Sequence, residues 1–301
     1  MSGPALLIVV LQIIRRYTAY PVKQSIIDML ALIMAVALPA VVVALGLAVA
    51  PLAIPVLGPE DYLEHIQKTK EALNIPVIAS LNGTSVGGWT EYARQIQQAG
   101  ADALELNIYH VSAEVTETGE MVEQRYIDVL KAVKKKITIP VVVKLSPHFS
   151  SVANMVHRLE QAGADGVSLF NRFYQPGIDL DTLEVTRELT LSSSADALLS
   201  MRWIAILYNQ VRLTLAATGG IHTSDDAMRL LLAGADVTHL CAALLQNGPG
   251  YVAGILSGME RWMELYEYES VEQLKGSVCR DHASDPSAYE RANYIEMLKQ
   301  Y

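Results

Sequence analysis

Three stretches of this chain repeat one phrase: AGADALEL at 99–106, AGADGVSL at 162–169 and AGADVTHL at 233–240. Each closes an amphipathic run of helical period, turns on a glycine and enters a short apolar run of strand length. A second phrase, IPVIASL at 75–81 and IPVVVKL at 139–145, opens strands in between. Outward from these anchors the pattern predicts strands at 75–81, 102–109, 139–145, 165–171, 211–218 and 236–243. Helices are expected at 59–73, 88–99, 122–136, 150–162, 196–209, 224–234 and 249–265. Strands alternating with helices imply crossover connections and a parallel sheet.

Six such units from Gly58 onward suit an open doubly wound sheet or most of an eight-unit barrel. The open sheet would carry a glycine fingerprint after its first strand and an acidic residue about 20 positions later, and neither is present. A barrel places its phosphate grip in the loops after its last two strands. TGGI (218–221) and CAAL (241–244) fall there. The expected fold is α/β, a TIM (β/α)8-type barrel, with an atypical apolar segment in place of the first two units. The expected divisions are that segment (1–57), the barrel units (58–279) and a polar C-terminal appendage (280–301).

The chain has 301 residues, 51% hydrophobic and 18% charged, enough for one large domain. Its 23 Lys and Arg against 32 Asp and Glu give a net charge of −9. No basic face stands out, which argues against a nucleic-acid partner. The cluster Lys134–Lys136 is expected at a helix C-terminus, where cations are favourable. Cys241 and Cys279 provide neither a disulfide framework nor metal-ligand spacing, so no metal is expected and a reducing cytoplasm is the natural compartment. From Met29 to Leu57 no charged residue occurs, a run long enough for a membrane helix. Pro39, Pro51 and Pro55 interrupt it, and AVVVALGLAV (40–49) would serve equally as a buried strand. Membrane contact is thus confined to residues 29–57, and a rearranged coding start is a further reading of the same segment.

The residues with chemical capacity gather at predicted strand ends. Thr218 leads to Gly219 and Gly220, which would let backbone N–H groups approach a phosphate, with Thr223 or Ser224 capping the next helix. A plain strand-to-helix turn would use the same residues. Lys144 closes a strand of valines, where a buried ammonium needs an anionic partner; snorkelling to the rim is the simpler alternative. Asn107 and Asn171 end two other strands, although Asn is depleted in strands, and each amide offers a donor and an acceptor. Asn82 belongs either to the same rim or to an ordinary turn. His148 and His222 fall on the same rim, whereas His65 and His157 fit solvated helix faces. Cys241 reads as a buried small hydrophobe rather than a nucleophile.

Taken in order, ELNIY (105–109), VVVKLSP (141–147), VSLFNR (167–172), RWIAIL (202–207), the TGGI stretch and ALLQNGPG (243–250) resemble the soluble-class dihydroorotate dehydrogenases and their dehydrogenase-like relatives. The resemblance runs from Gly58 to about Gln273. It implies an FMN-binding barrel, an oxidoreductase of pyrimidine metabolism acting on a small-molecule substrate, and a possible homodimer. It also implies that Lys144 lies at the flavin pyrimidine edge and that Asn107 and Asn171 contact FMN, with either, Asn171 among them, able to touch substrate as well; Asn82 joins the substrate side if it belongs to that rim rather than to a turn. Thr218, Gly219, Gly220, Cys241 and Ala242 would hold the phosphate.

One departure bears on chemistry. The family reads Ser-Cys-Pro-Asn after the Asn, with the Cys as base. Here Ile108, Tyr109, His110, Val111 and Ser112 follow Asn107, so His110 stands for the Cys and Ser112 for the substrate-binding Asn. His110 has the intrinsic range of a general base and Tyr109 could donate a proton; both could equally shape a loop. The expected activity is FMN-dependent hydride transfer with a small planar or carboxylated substrate, catalysed by His110, Tyr109 and Lys144. Alternatives are a flavin-binding relative without turnover and a flavin-free phosphate-sugar aldolase or isomerase with Lys144 as amine nucleophile.

Overall fold

The computed structural model describes residues 58–82, 86–187, 190–291 and 298–299. The expectations for residues 1–57, including the two missing barrel units and the membrane question, lie outside the described residues. Among the described residues no helix is long and apolar enough to cross a membrane.

In chain order the elements are α1 (Pro59–Ala72), β1 (Ile78–Leu81), α2 (Val86–Gln98), β2 (Ala103–Asn107), α3 (Gly119–Lys134), β3 (Val141–Leu145), α4 (Val152–Gln161) and β4 (Gly166–Leu169). A small antiparallel ribbon follows, β5 (Gly177–Ile178) with β6 (Val185–Thr186). Then come α5 (Ala197–Leu207), β7 (Thr214–Thr218), α6 (Ser224–Ala233), β8 (Val237–His239), α7 (Ala242–Asn247) and α8 (Tyr251–Leu265), with short α9 (Val271–Leu274) and α10 (Ser287–Glu290). The main sheet runs β1-β2-β3-β4-β7-β8, parallel throughout. Its spatial order follows its sequence order without the reversal that defines a doubly wound sheet. It is the curled wall of a TIM-type barrel.

The repeated AGAD phrase has a physical cause. Gly100, Gly163 and Gly234 take φ of +95°, +95° and +117°, the left-handed turn that ends each helix. The following Asp staples two strands together at their N-terminal ends. Asp102, Asp165 and Asp236 accept the backbone N–H of Val77 (2.6 Å), Val141 (2.8 Å) and Leu215 (2.8 Å). Each also pairs with a lysine: Lys70, Lys134 and Lys275 respectively. Three backbone N–H groups at or within a residue of the strand starts are thereby satisfied.

Alternate strand residues separate two layers. Leu104, Leu106, Val143, Leu145, Val167 and Leu215 face outward into one core shared with the helices. Burial of each such side chain contributes roughly 1.5–3 kcal/mol. The inward face begins apolar, with Ile78, Ala103, Ala216 and Val237 as a separate cluster. Toward the strands' C-terminal ends it turns polar: Ser80, Glu105, Lys144, Ser168 and His239 are all buried. Register places Asn107 beside Lys144, Lys144 beside Ser168, and Thr218 beside His239.

Two expectations need correction here. The apolar run expected as a strand through Ala243 leaves the ladder after His239, and α7 begins at Ala242. Cys241 consequently occupies the N-cap position of that helix, without bonding it through its side chain, and is exposed, not buried. The surrounding mouth still desolvates its sulfur and pushes the thiol up, so it is no thiolate nucleophile.

Candidate active site at the C-terminal mouth of the barrel

The inward polar layer centres on Lys144. Its Nζ lies 3.6 Å from Glu105 Oε1, one strand away, and both side chains are buried. Glu105 Oε1 also accepts the Ser80 hydroxyl at 3.0 Å. The anionic partner that a lysine in an apolar strand requires is therefore an inward carboxylate two residues before Asn107. Among the described residues no group lies within hydrogen-bonding distance of the Lys144 ammonium, which keeps unused donors.

His239 completes this layer. Burial holds its imidazole neutral, down to about 4, with Glu105 pulling the value up and Lys144 pushing it down. Its Nδ1 and the Ser168 hydroxyl are buried without a partner. Such atoms in a native interior call for a water, an ion or a ligand group.

Above the layer, Asn171 Nδ2 donates to Asn107 Oδ1 at 2.7 Å, so the two amides expected at this rim do meet. Asn171 is fixed by its backbone N–H on Leu145 O, and Leu169 O accepts the Ser200 hydroxyl. Asn82 ends the described part of its loop and is exposed.

The glycine turn is asymmetric. A Cβ on Gly220 would stand 2.2 Å from the Ala197 nitrogen, whereas one on Gly219 would meet nothing within 4 Å. Gly220 thus packs against α5 and Gly219 borders open space. Thr223 is the cap of α6, and Asp226 folds back to accept the N–H groups of His222 (3.1 Å) and Thr223 (3.0 Å). Those amides are consumed by the chain itself, and the open part of the turn is Gly219. His222 supports the turn through Ser192, 3.1 Å away. Across the mouth, α7 starts at Ala242 without a side-chain cap.

The loops after β2, β3 and β4 enclose a cleft of about 480 Å³. Tyr109, His148 and Phe173 form one wall, with ring centroids 4.3 Å apart for Tyr109 and Phe173 and 5.5 Å for His148 and Phe173. His110 and Ser112 also line it. The Tyr126 hydroxyl donates to Ile108 O at 2.9 Å and anchors the loop; burial pushes that phenol up to about 12. His110 Nε2 lies 2.9 Å from Glu117 Oε2, and Arg125 donates to Glu117 Oε1 at 2.6 Å. Bonds from His110, Ser112 and Arg125 hold the Glu117 carboxyl down at about 2. The expected substrate residue Ser112 thus also serves Glu117.

The sequence profile of dihydroorotate dehydrogenase matches residues 45–263. The chain belongs to the dihydroorotate dehydrogenase family. The match starts upstream of Gly58, so the likeness reaches further toward the N-terminus than the motifs alone indicate. Among curated relatives, the catalytic subunit of dihydroorotate dehydrogenase B (NAD(+)) of Pyrococcus abyssi is 31% identical over 74% of this chain and 75% of its own. That of Bacillus pumilus is 30% identical over 78% and 76%. A putative dihydroorotate dehydrogenase A (fumarate) of Aeropyrum pernix is 29% identical over 73% and 72%. By this kinship the chain is a dihydroorotate dehydrogenase-like oxidoreductase.

Motif reading alone does not single out Glu105, Ser80, Ser168 and His239, although a charge or imidazole at inward parity within an apolar strand is a usable signal. Glu117 and Arg125 carry no such signal, because their meeting with His110 depends on how the loop returns to α3. Among the described residues no cluster of three or more His, Cys, Asp or Glu side chains could hold a metal.

Proposed function

We propose that the protein is an FMN-dependent oxidoreductase moving hydride between flavin and a small planar or carboxylated molecule, dihydroorotate being the first candidate. The observation that carries this reading is the buried Lys144 with spare donors, beside the Asn107–Asn171 amide pair, at the mouth of a barrel of this family. FMN would supply the two-electron acceptor. Lys144 would place a fixed positive charge at the flavin pyrimidine edge, and Asn107 and Asn171 would present a donor and an acceptor to its ring or to substrate. Thr218, Gly219 and Gly220 would receive the phosphate with Cys241 and Ala242, where Gly219 leaves room for a close approach. His110 would take the substrate proton, with Tyr109 beside it on the aromatic wall. Ser112 and Asn82 belong to the substrate side of this reading.

The departure at His110 favours one competing reading, a flavin-binding relative without turnover. An imine-forming barrel is less well supported, because Lys144 faces the Glu105 carboxylate in an arrangement suited to a cation rather than a free amine. A cytoplasmic homodimer belongs to the same proposal; the apolar ribbon side chains Ile178, Leu180, Leu183 and Val185 are exposed and suit a covered face. The visible spectrum of the purified chain and the mass of any released cofactor test the reading. Folded protein that stays colourless after incubation with FMN would refute it. Flavin that dihydropyrimidines reduce, and reduce poorly after His110→Ala, separates the active enzyme from the silent binder.

A further inference from the structure

We infer that Glu117 is a positioning residue that fixes the tautomer of His110, so that Nδ1 is the basic nitrogen presented to the cleft among the β2, β3 and β4 loops. The inference rests on the reading of that cleft as the substrate site and adds to it a device that the family's motifs do not contain.

The geometry is specific at three points. His110 meets Glu117 through Nε2 at 2.9 Å. A carboxylate only accepts, so Nε2 carries the hydrogen and the lone pair of the neutral ring resides on Nδ1. Among the described residues no group is hydrogen-bonded to Nδ1. Second, Arg125 reaches Glu117 with one arm only, Nη2 to Oε1 at 2.6 Å, while its Nη1 is buried and unpartnered. A two-armed clamp would engage both carboxylate oxygens; here Oε2 is left for the imidazole. Third, Glu117 is 11% exposed in a loop whose neighbours are exposed, and His110 is 31% exposed and lines the cleft. The carboxylate is held inward while the ring keeps access to a ligand.

The chemistry follows from this pairing. A carbon-bound hydrogen beside a carbonyl group is removed as a proton: the C–H bond breaks, its electron pair stays on the substrate, and the Nδ1 lone pair forms the new N–H bond. The imidazolium so formed faces the Glu117 carboxylate, whose negative charge stabilises it. Aromatic walls fit a small planar ring as the molecule that delivers this hydrogen. Other ionisable groups facing the cleft are Tyr109, His148, Glu123, Tyr126 and Tyr174; Glu123 is paired with Arg158.

The test uses the full chain labelled with nitrogen-15 in histidine, with His110→Gln assigning the signal. At a pH where the ring is neutral, wild type should show Nδ1 as an unprotonated nitrogen and Nε2 as an N–H nitrogen. Glu117→Gln should give a mixture of tautomers, and Glu117→Asp should restore much of the single form. A mixed tautomer in wild type, or a signal unmoved by Glu117→Gln, overturns the inference. In a second arm, anaerobic dihydroorotate is mixed with flavin-loaded protein. His110→Ala should slow flavin reduction by about 10²–10⁴-fold, with partial rescue by free imidazole, and Glu117→Gln should slow it less. Reduction at the wild-type rate in both variants also overturns it. Colourless protein would sink the flavin reading alone, since the tautomer is read without any cofactor.

Discussion

His239 should make the fold acid-sensitive in a window that can be calculated in advance. Its imidazole is buried on the inward face of β8, and burial holds its value near 4 against an ordinary 6.5. Native protein therefore keeps it neutral where the unfolded chain already binds a proton. The sign follows from linkage: the unfolded state holds more protons between these two values, so stability is full above about pH 6.5 and falls as pH drops toward 4. A displacement of about 2.5 pKa units corresponds to roughly 3 kcal/mol. The perturbation is His239→Gln, which keeps a polar side chain and removes the titration. Glu105 and Lys144, the charged groups facing the ring, are retained in both proteins. Urea unfolding followed at pH 7.5, 6.0 and 4.5 should show wild type losing about 2.5 kcal/mol more than the variant by pH 4.5, most of the full displacement. Carboxylates shared by both proteins cancel in the difference. Parallel stability curves would mean that His239 is protonated or solvated in the native state, and the dry inward layer would have to be redrawn.

The Lys144–Glu105 pair should behave as a buried unit: Lys144→Met alone should cost about 3–5 kcal/mol by leaving Glu105 uncompensated, while Lys144→Met with Glu105→Met should cost clearly less than the sum of the singles. Additive losses in urea unfolding would refute their coupling. The AGAD staples predict that Asp165→Ala loses about 1–3 kcal/mol through the orphaned Val141 N–H, whereas Lys134→Ala loses under about 1 kcal/mol because that ion pair is solvent-exposed; equal losses would assign the staple to charge instead. The glycine turn predicts that Gly220→Ala fails to accumulate as folded protein, its methyl lying on the α5 backbone. Gly219→Ala should fold with only a backbone penalty of about 1–2 kcal/mol and weaker FMN retention, and indifferent flavin binding would remove Gly219 from the phosphate site.

The fold was legible because its repeating unit carries its own punctuation. A left-handed glycine followed by an aspartate that staples the preceding strand leaves a sequence trace, AGAD, wherever it recurs. Strand limits were less legible. Ile75, Val77 and Ile108 are buried and apolar like their strand neighbours yet lie outside the ladders, since hydrophobicity reports burial and not hydrogen bonding. The same ambiguity hid α7: a run of small apolar residues after His239 reads as strand until the ladder ends. The ribbon of β5 and β6 left almost no trace, its two strands being only two residues long and exposed or half-exposed.

The site divides along the same physical line. Asn107, Lys144 and Thr218 could be found one at a time because each is polar at the end of an apolar strand. What joins them is parity: in a parallel barrel wall, residues in register point to the same side. Glu105 precedes Asn107 by two and His239 stands in register with Thr218, so both belong to the inward set by counting alone. Reading strand ends for polar residues recovers the rim; reading alternate positions backwards from them recovers the layer beneath, which holds the charge balance of Lys144. The His110–Glu117 contact obeys no such rule. It is made by a loop that returns to α3, where Thr118 caps the helix by accepting the Met121 N–H at 3.3 Å and Arg125 reaches back from within the helix. A sequence can announce that this helix begins at Thr118. Only the path of the eight residues before it, His110 to Glu117, decides which of several acidic side chains the histidine meets.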